Sequence, residues 1–222
     1  MMTEKFKIIG MRRRMVTIVL FTIHCSLFIS GVVALTSCSE SDDTETTEYA
    51  NWKARNEAFF LTLEDSLNRG GGAWRKIKTY TKDPATAGVN TDYIYVKVLE
   101  AGDGTTSPLY SDSVRISYRG RLIPSVTYPQ GYVFDQTYIG TYHIKTTGVA
   151  DVQASNNVDG FSTALQYMHK GDRWLVYIPY NLGYGVTEKS GIPAYSTLIF
   201  DLVLIDYVTG SESLQPWTSR RY

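Results

Sequence analysis

Apolar residues recur along this chain with two periods, one helical and one extended. Phe161, Ala164, Leu165 and Met168 follow the i, i+3, i+4, i+7 spacing of a single buried helical stripe. Asp159 has the side chain of an N-cap, and the pattern predicts a helix over residues 160–169. Lys170 and Gly171 supply a basic last turn and a residue that tolerates positive φ. Residues 173–178 then read as a strand of β-formers, which Pro179 stops. Residues 180–193 read as a loop punctuated by Asn181, Gly183, Gly185 and Gly191. Residues 197–207 read as a second strand.

Upstream, residues 93–99 alternate aromatic and aliphatic side chains and predict a strand. Residues 113–123 predict another, with Val114, Ile116 and Tyr118 on one face and Arg115, Ser117 and Arg119 on the other. That alternation predicts a sheet with one wet face. The two late strands break the rule. Val176, Ile178, Leu198, Phe200, Leu202 and Leu204 share one face, yet Leu175, Tyr177, Ile199, Val203 and Ile205 occupy the other. An apolar outer patch of this kind marks a contact. Residues 49–67 predict an amphipathic helix with Trp52, Phe59, Phe60, Leu63 and Leu67 in its stripe, ended by Gly70 to Gly72. We expect that helix to cover the patch, within the chain or across a dimer.

The N-terminus is not read as fold. Lys5, Lys7 and Arg12 to Arg14 form a positive region, residues 15–35 are almost wholly apolar, and Leu35-Thr36-Ser37-Cys38 follows. This is the pattern of a secretory signal with a lipobox-like end. Removing residues 1–37 takes five of the 22 basic residues and one of the 22 acidic ones, leaving 17 against 21, a net charge of about −4. Such a balance argues against a nucleic-acid partner. Cys38 is then the lone cysteine, so no intrachain disulfide is expected, and lipidation accounts for it. Residues 38–48 form an acidic tether with too few apolar residues to bury.

Other chemistries find no support. His143 and His169 are the only histidines beyond the signal, and no second cysteine accompanies Cys38, so no zinc site and no other metal is expected. No nucleophile elbow and no phosphate-cradling glycine loop occurs. No cofactor is expected.

A family resemblance rests on an ordered set of motifs. Phe161 lies early in a helix, Met168 stands shortly before Gly171, and Ile178-Pro179, Leu182-Gly183-Tyr184-Gly185 and Ile192-Pro193 follow. Ser196-Thr197-Leu198-Ile199-Phe200 comes next, and upstream stand Val114-Arg115-Ile116-Ser117-Tyr118-Arg119-Gly120 and Val133-Phe134-Asp135. Together they resemble the FKBP-type peptidyl-prolyl isomerases over residues 93–207. The resemblance implies an α+β fold: an antiparallel, bent sheet, or half-barrel, wrapped around one short α-helix and here preceded by an N-terminal helix. It divides the chain into a signal (1–37), a tether (38–48), a helix and linker (49–92), the isomerase-like domain (93–207) and a tail (208–222). It implies rotation of Xaa-Pro bonds in proline-containing polypeptides, without cofactor, from a lipid-anchored protein of the cell envelope.

By resemblance, Phe161 is the floor of a proline pocket, where many members have Trp. Tyr118, Phe134 and Phe200 are walls, with Val158 and Ile192 beside them. The Val158 N–H and the Tyr184 hydroxyl bind substrate carbonyls, and Asp135 is the polar group near the twisting amide. Tyr142 is the candidate for a further aromatic from the flap. Macrolide immunophilin ligands are implied for the same pocket, and a membrane contact through lipidated Cys38. Extra residues around 124–132 and within 135–160 depart from the compact family pattern and are expected at the pocket rim. The rival readings are a binding or holdase module with little turnover, and a structural surface lipoprotein whose main contact is the N-terminal helix.

Overall fold

The computed structural model describes residues 48–210 and 212–218. The expected signal, Cys38 and all but the last residue of the acidic tether lie outside the described residues. Among the described residues, seven strands form one antiparallel sheet: β1 (Trp74–Lys78), β2 (Tyr93–Glu100), β3 (Ser113–Arg121), β4 (Val133–Gln136), β5 (Ala150–Gln153), β6 (Arg173–Ile178) and β7 (Leu198–Val208). The order is β1-β2-β6-β7-β3-β4, with β5 also on β3. Helix α1 (Trp52–Arg69) precedes the sheet, and α2 (Asp159–Tyr167) packs on it. The architecture is the expected α+β one. The pairing register shifts at Val98/Glu100, Arg115/Ile116 and Gly120/Arg121, irregularities of the kind that bend strands and sharpen their twist.

The inner face follows the alternation. Trp174, Val176 and Ile178 stand opposite Leu202, Phe200 and Leu198 across β6 and β7. They are buried with Phe161, Ala164, Leu165 and Met168 of the α2 segment. A Cβ on Gly160 would lie 2.3 Å from the Ile178 side chain, so glycine there sets how closely α2 approaches the sheet. The N-cap differs from expectation. It is Val158, with no side-chain cap, and Asp159 is the first helical residue. Its carboxylate still favours the positive helix end and accepts from the Tyr80 hydroxyl at 3.3 Å. The helix ends at Tyr167, before Gly171, which takes φ 89° in the following turn. Strand β1 lacked a sequence signal because only Ile77 of its five residues is buried.

The outer face of β3 is not wet. Arg115 is 4% exposed and Ser117 fully buried. Two segments cover them. The β4–β5 connection brings Thr137 and Thr147 to hydrogen-bond the Ser117 hydroxyl at 2.9 and 2.5 Å. The C-terminal segment brings the Gln215 carbonyl to Arg115 at 2.6 Å and lays Trp217 over its guanidinium. Arg115 also makes a two-pronged bond to Asp151, at 2.6 and 2.5 Å. Alternation identified the face but could not reveal what would bury it.

Helix α1 packs on the outer face within the chain. Phe60 and Leu63 are buried there, with Phe60 edge-on to Tyr95 at 5.1 Å. Phe59 tilts against Tyr177 at 6.2 Å and shares a groove with Ile199. Trp74 stacks on Tyr177 at 5.6 Å. Glu64 accepts from the Tyr95 hydroxyl and from Lys76, which keeps its carboxyl below the usual range. Two further residues of the patch, Val203 and Ile205, instead line a cavity of about 480 Å³ together with Tyr142, His143 and Ile144. Phe60→Ala should therefore cost about 3–5 kcal/mol, the usual loss for a buried aromatic. Urea denaturation of the soluble protein checks this, and a midpoint equal to wild type would contradict the packing.

Candidate functional site

Three inward-facing strand positions and one helix position build an aromatic cage. Tyr118 and Gly120 alternate inward on β3, Phe134 comes from β4, and Phe200 from β7 pairs with Gly120. Phe161 rises from the first turn of α2. Phe200 is the hub: its ring meets Phe161 at 4.9 Å, Phe134 at 5.5 Å and Tyr118 at 6.2 Å, each edge-to-face. Tyr118 meets Phe161 at 6.2 Å in the same way. These are the preferred arrangements of rings with negative faces and positive edges. They leave a cavity of about 670 Å³ on the inner side of the sheet.

The polar groups of the site sit at its rim. The Tyr118 hydroxyl donates to Asp135 Oδ2 at 2.6 Å, and the Gln136 N–H donates to Oδ1 at 2.8 Å. Both carboxylate oxygens are thereby held. Burial, and then the bond to Asp135, push the Tyr118 phenol above its ordinary range, so it remains a donor at neutral pH. Val158, at the N-cap of α2, lines the cavity, and its carbonyl accepts from Phe161 and Ser162 at 2.9 and 3.0 Å. Tyr184 is partly exposed at the mouth, with the Lys189 ammonium over its ring, and Ile192 is buried in the wall. Among the described residues, no group of three or more acidic, His or Cys side chains is placed to hold a metal.

Eight of the nine pocket residues expected from sequence therefore line one cavity: Tyr118, Phe134, Asp135, Val158, Phe161, Tyr184, Ile192 and Phe200. Tyr142 does not. It lies under the Arg173 guanidinium at 4.9 Å and edge-on to Tyr138 at 5.5 Å. Arg173 is fixed on the outer face by two 2.9 Å bonds to Asp201 and one to Glu100. That anchor draws the 137–148 connection across the sheet's back, away from the cavity mouth. The 124–132 insertion reaches two ways: the Pro124 carbonyl meets Arg55 of α1 and Thr127 donates to Glu48 ahead of that helix, while Tyr132 stands against Gly191, where a Cβ would lie 3.2 Å from its ring, between the lining residues Ser190 and Ile192.

Sequence reasoning did not name several lining residues: Ile116, Lys189 and Ser190, and, within the 135–160 stretch expected at the rim, Val152 and Ser155 to Asn157. The Asn156-Asn157 pair ahead of the helix was a turn signal that could have pointed there. It also missed Gly120. A Cβ there would lie 2.6 Å from the Phe134 ring and 2.7 Å from Phe200. The missing side chain is what lets the two rings meet.

Comparison with known proteins bears on this geometry. Residues 104–205 match the family model described as FKBP-type peptidyl-prolyl cis-trans isomerase. The chain is 38% identical over 113 residues to a macrophage infectivity potentiator of Trypanosoma cruzi, covering 50% of this chain and 51% of that one. It is 37% identical over 110 residues to the outer membrane protein MIP of Legionella longbeachae, covering 49% and 42%. To FkpA of Escherichia coli K12 it is 32% identical over 169 residues, covering 76% and 57%. The crystal structure of Escherichia coli FkpA superposes with a TM-score of 0.51 at 27% identity, covering 71% of this chain and 61% of that one. The chain thus spans about half the length of the curated relatives it matches.

Gly120→Ala should push Phe134 or Phe200 off its rotamer and cost about 1–3 kcal/mol, as overpacking does. Denaturation measures the loss, and aromatic NMR shifts of the two rings should move with it. A variant with wild-type stability and spectra would show that the cage does not depend on this close approach.

Proposed function

We propose that the protein, whose residues 104–205 match the family model of the FKBP-type peptidyl-prolyl cis-trans isomerases, rotates Xaa-Pro bonds in folding or secreted polypeptides. The observation that carries this is the aromatic cage with a held carboxylate at its edge. Rotation must cross a barrier of about 18–20 kcal/mol set by amide resonance. Neither nucleophile, metal nor cofactor is needed. The site must take the prolyl ring out of water and bind the twisted amide better than either planar form.

In this reading Phe161 underlies the ring, Tyr118, Phe134 and Phe200 wall it, and Val158 and Ile192 close its sides. Desolvation disfavours the charge-separated amide resonance form and softens the C–N bond. The Val158 N–H and Tyr184 hydroxyl hold carbonyls of the client, and Asp135 stands beside the twisting bond. The same apolar pocket would take a macrolide. Cys38 carries the lipid that holds the protein in the cell envelope, and the name of the Legionella relative, an outer membrane protein, supports that location. Among the described residues no helix is long and apolar enough to cross a membrane.

The test uses residues 39–222 and a short Xaa-Pro peptide. Isomerisation should exceed the buffer rate and be abolished by a macrolide. Phe161→Ala or Phe134→Ala should lose about ten- to a hundredfold, the equivalent of one buried aromatic side chain. Asp135→Ala should lose less, because it tunes the pocket and does not form it. Wild-type activity no higher than buffer, with an intact fold, would leave a binding module. For the anchor, full-length protein should partition with membranes and carry a lipid mass that Cys38→Ser abolishes. An unmodified Cys38 at the mature N-terminus would reject it.

A further inference from the structure

Helix α1 lies outside the segment that matches the family model, yet three of its residues contact residues 195–197, just after the cavity-wall residue Ile192, and a fourth contacts Tyr180. Trp52 is 6% exposed, and its indole N–H donates to Ser196 Oγ at 2.8 Å. Ser196 Oγ in turn donates to the Pro193 carbonyl at 2.6 Å. Asn56 is fully buried and bridges two backbones: its Nδ2 donates to the Trp52 carbonyl at 2.8 Å, and its Oδ1 accepts from the Thr197 N–H at 2.7 Å. Lys53 places its ammonium over the Tyr195 ring at 5.0 Å. Glu57 accepts from the Tyr180 hydroxyl at 3.4 Å. The positions 52, 53, 56 and 57 are neighbours on one helix face.

The gripped segment leads directly into the cavity. Tyr195 takes φ 63°, a left-handed conformation costly for an aromatic residue, and its ring packs edge-on to Tyr180 at 5.3 Å. The Tyr195 N–H donates to the Gly185 carbonyl at 2.9 Å, next to Tyr184. Three residues earlier stands Ile192, in the cavity wall and paired with Lys189. A strained residue persists only where its surroundings over-determine it. Here the surroundings include α1.

We propose that Trp52 and Asn56 are positioning residues for the isomerase pocket, acting through Ser196 and Thr197 on Ile192 and Tyr184. This rests on the proposed isomerase reading. Ile192 and Tyr184 contact the client in its planar as well as its twisted form. Misplacing them therefore weakens both, which raises KM and leaves kcat nearly unchanged.

The experiment compares Trp52→Phe, Ser196→Ala, their double variant and Phe60→Ala in residues 39–222. Trp52→Phe keeps an aromatic ring and deletes only the N–H and some area. It should raise KM about fivefold, the equivalent of about 1 kcal/mol, and shift the Ile192 methyl resonance. Ser196→Ala removes the same bond and also the one to the Pro193 carbonyl, so it should raise KM at least as much, and the double variant should lose no more than Ser196→Ala alone, because the Trp52 bond is already gone there. Phe60→Ala, on the turn of α1 that packs on Tyr95, should destabilise more and leave KM and that resonance unchanged. If Trp52→Phe matched wild type in both, or Phe60→Ala moved both equally, the positioning role would be overturned. A wild type without turnover would defeat the isomerase reading alone, since the methyl shift reports positioning without it.

Discussion

Burial of Phe200 against Phe134, Phe161 and Tyr118 on one face of β7 leaves Ile199, Val203 and Ile205 on the other face, also buried. A central strand that is dry on both sides cannot stand in a two-layer domain alone. One layer is supplied by α2, as the sequence stripe demands. The second is assembled from pieces: α1 over Tyr177 and Ile199, the 137–148 connection over Val203, Ile205 and Ser117, and residues 212–218 over Arg115. The hydrophobic effect is non-directional, so unrelated segments serve equally well as cover provided their polar groups find partners. Here they do, through the hydroxyl contacts of Ser117 and the paired guanidiniums of Arg115 and Arg173.

The same economy shapes the cavity. Its walls are core residues that stop short of closing, and Gly120 is where the closure is withheld. An amide entering such a site meets ring edges and faces in place of water, together with one carboxylate whose two oxygens are already held. Fixed groups need no reorganisation when the bond twists, which is the general advantage of preorganised sites. Tyr118 contributes twice, as a wall and as the donor that fixes Asp135.

How much of this could be read beforehand differs by element. Strand β6 was legible residue for residue, because the apolar run Trp174 to Ile178 stands between the turn at Gly171 and Pro179. That Phe134, Phe161 and Phe200 share one cavity was legible through motif order, since each occurs in a distinctive local sequence. Tyr142 was misplaced because its position depends on Arg173 and Asp201, side chains remote in sequence whose pairing no local pattern announces. The supposed wet face of β3 failed for the same reason: an alternating Arg-Ser-Arg says which side a residue points to, not what will lie there. Strand β1 was invisible because an edge strand needs few apolar residues. The grip of Trp52 and Asn56 on Ser196 and Thr197 spans more than 140 positions, beyond the reach of periodicity.

The sheet's outermost strands carry one more meaning. An open edge offers unpaired N–H and C=O groups to any extended chain that drifts past, and natural sheets blunt such edges with short strands and positive charge. At one end stands β1, five residues long, with Arg75, Lys76 and Lys78 among them; at the other stand β4 and β5, four residues each. A protein whose proposed clients are unfolded polypeptides meets extended chains continually. Edges of this kind offer an extended backbone little ladder to join, which under the proposed function would leave the pocket as the place where a client is held, and from which a short segment could dissociate.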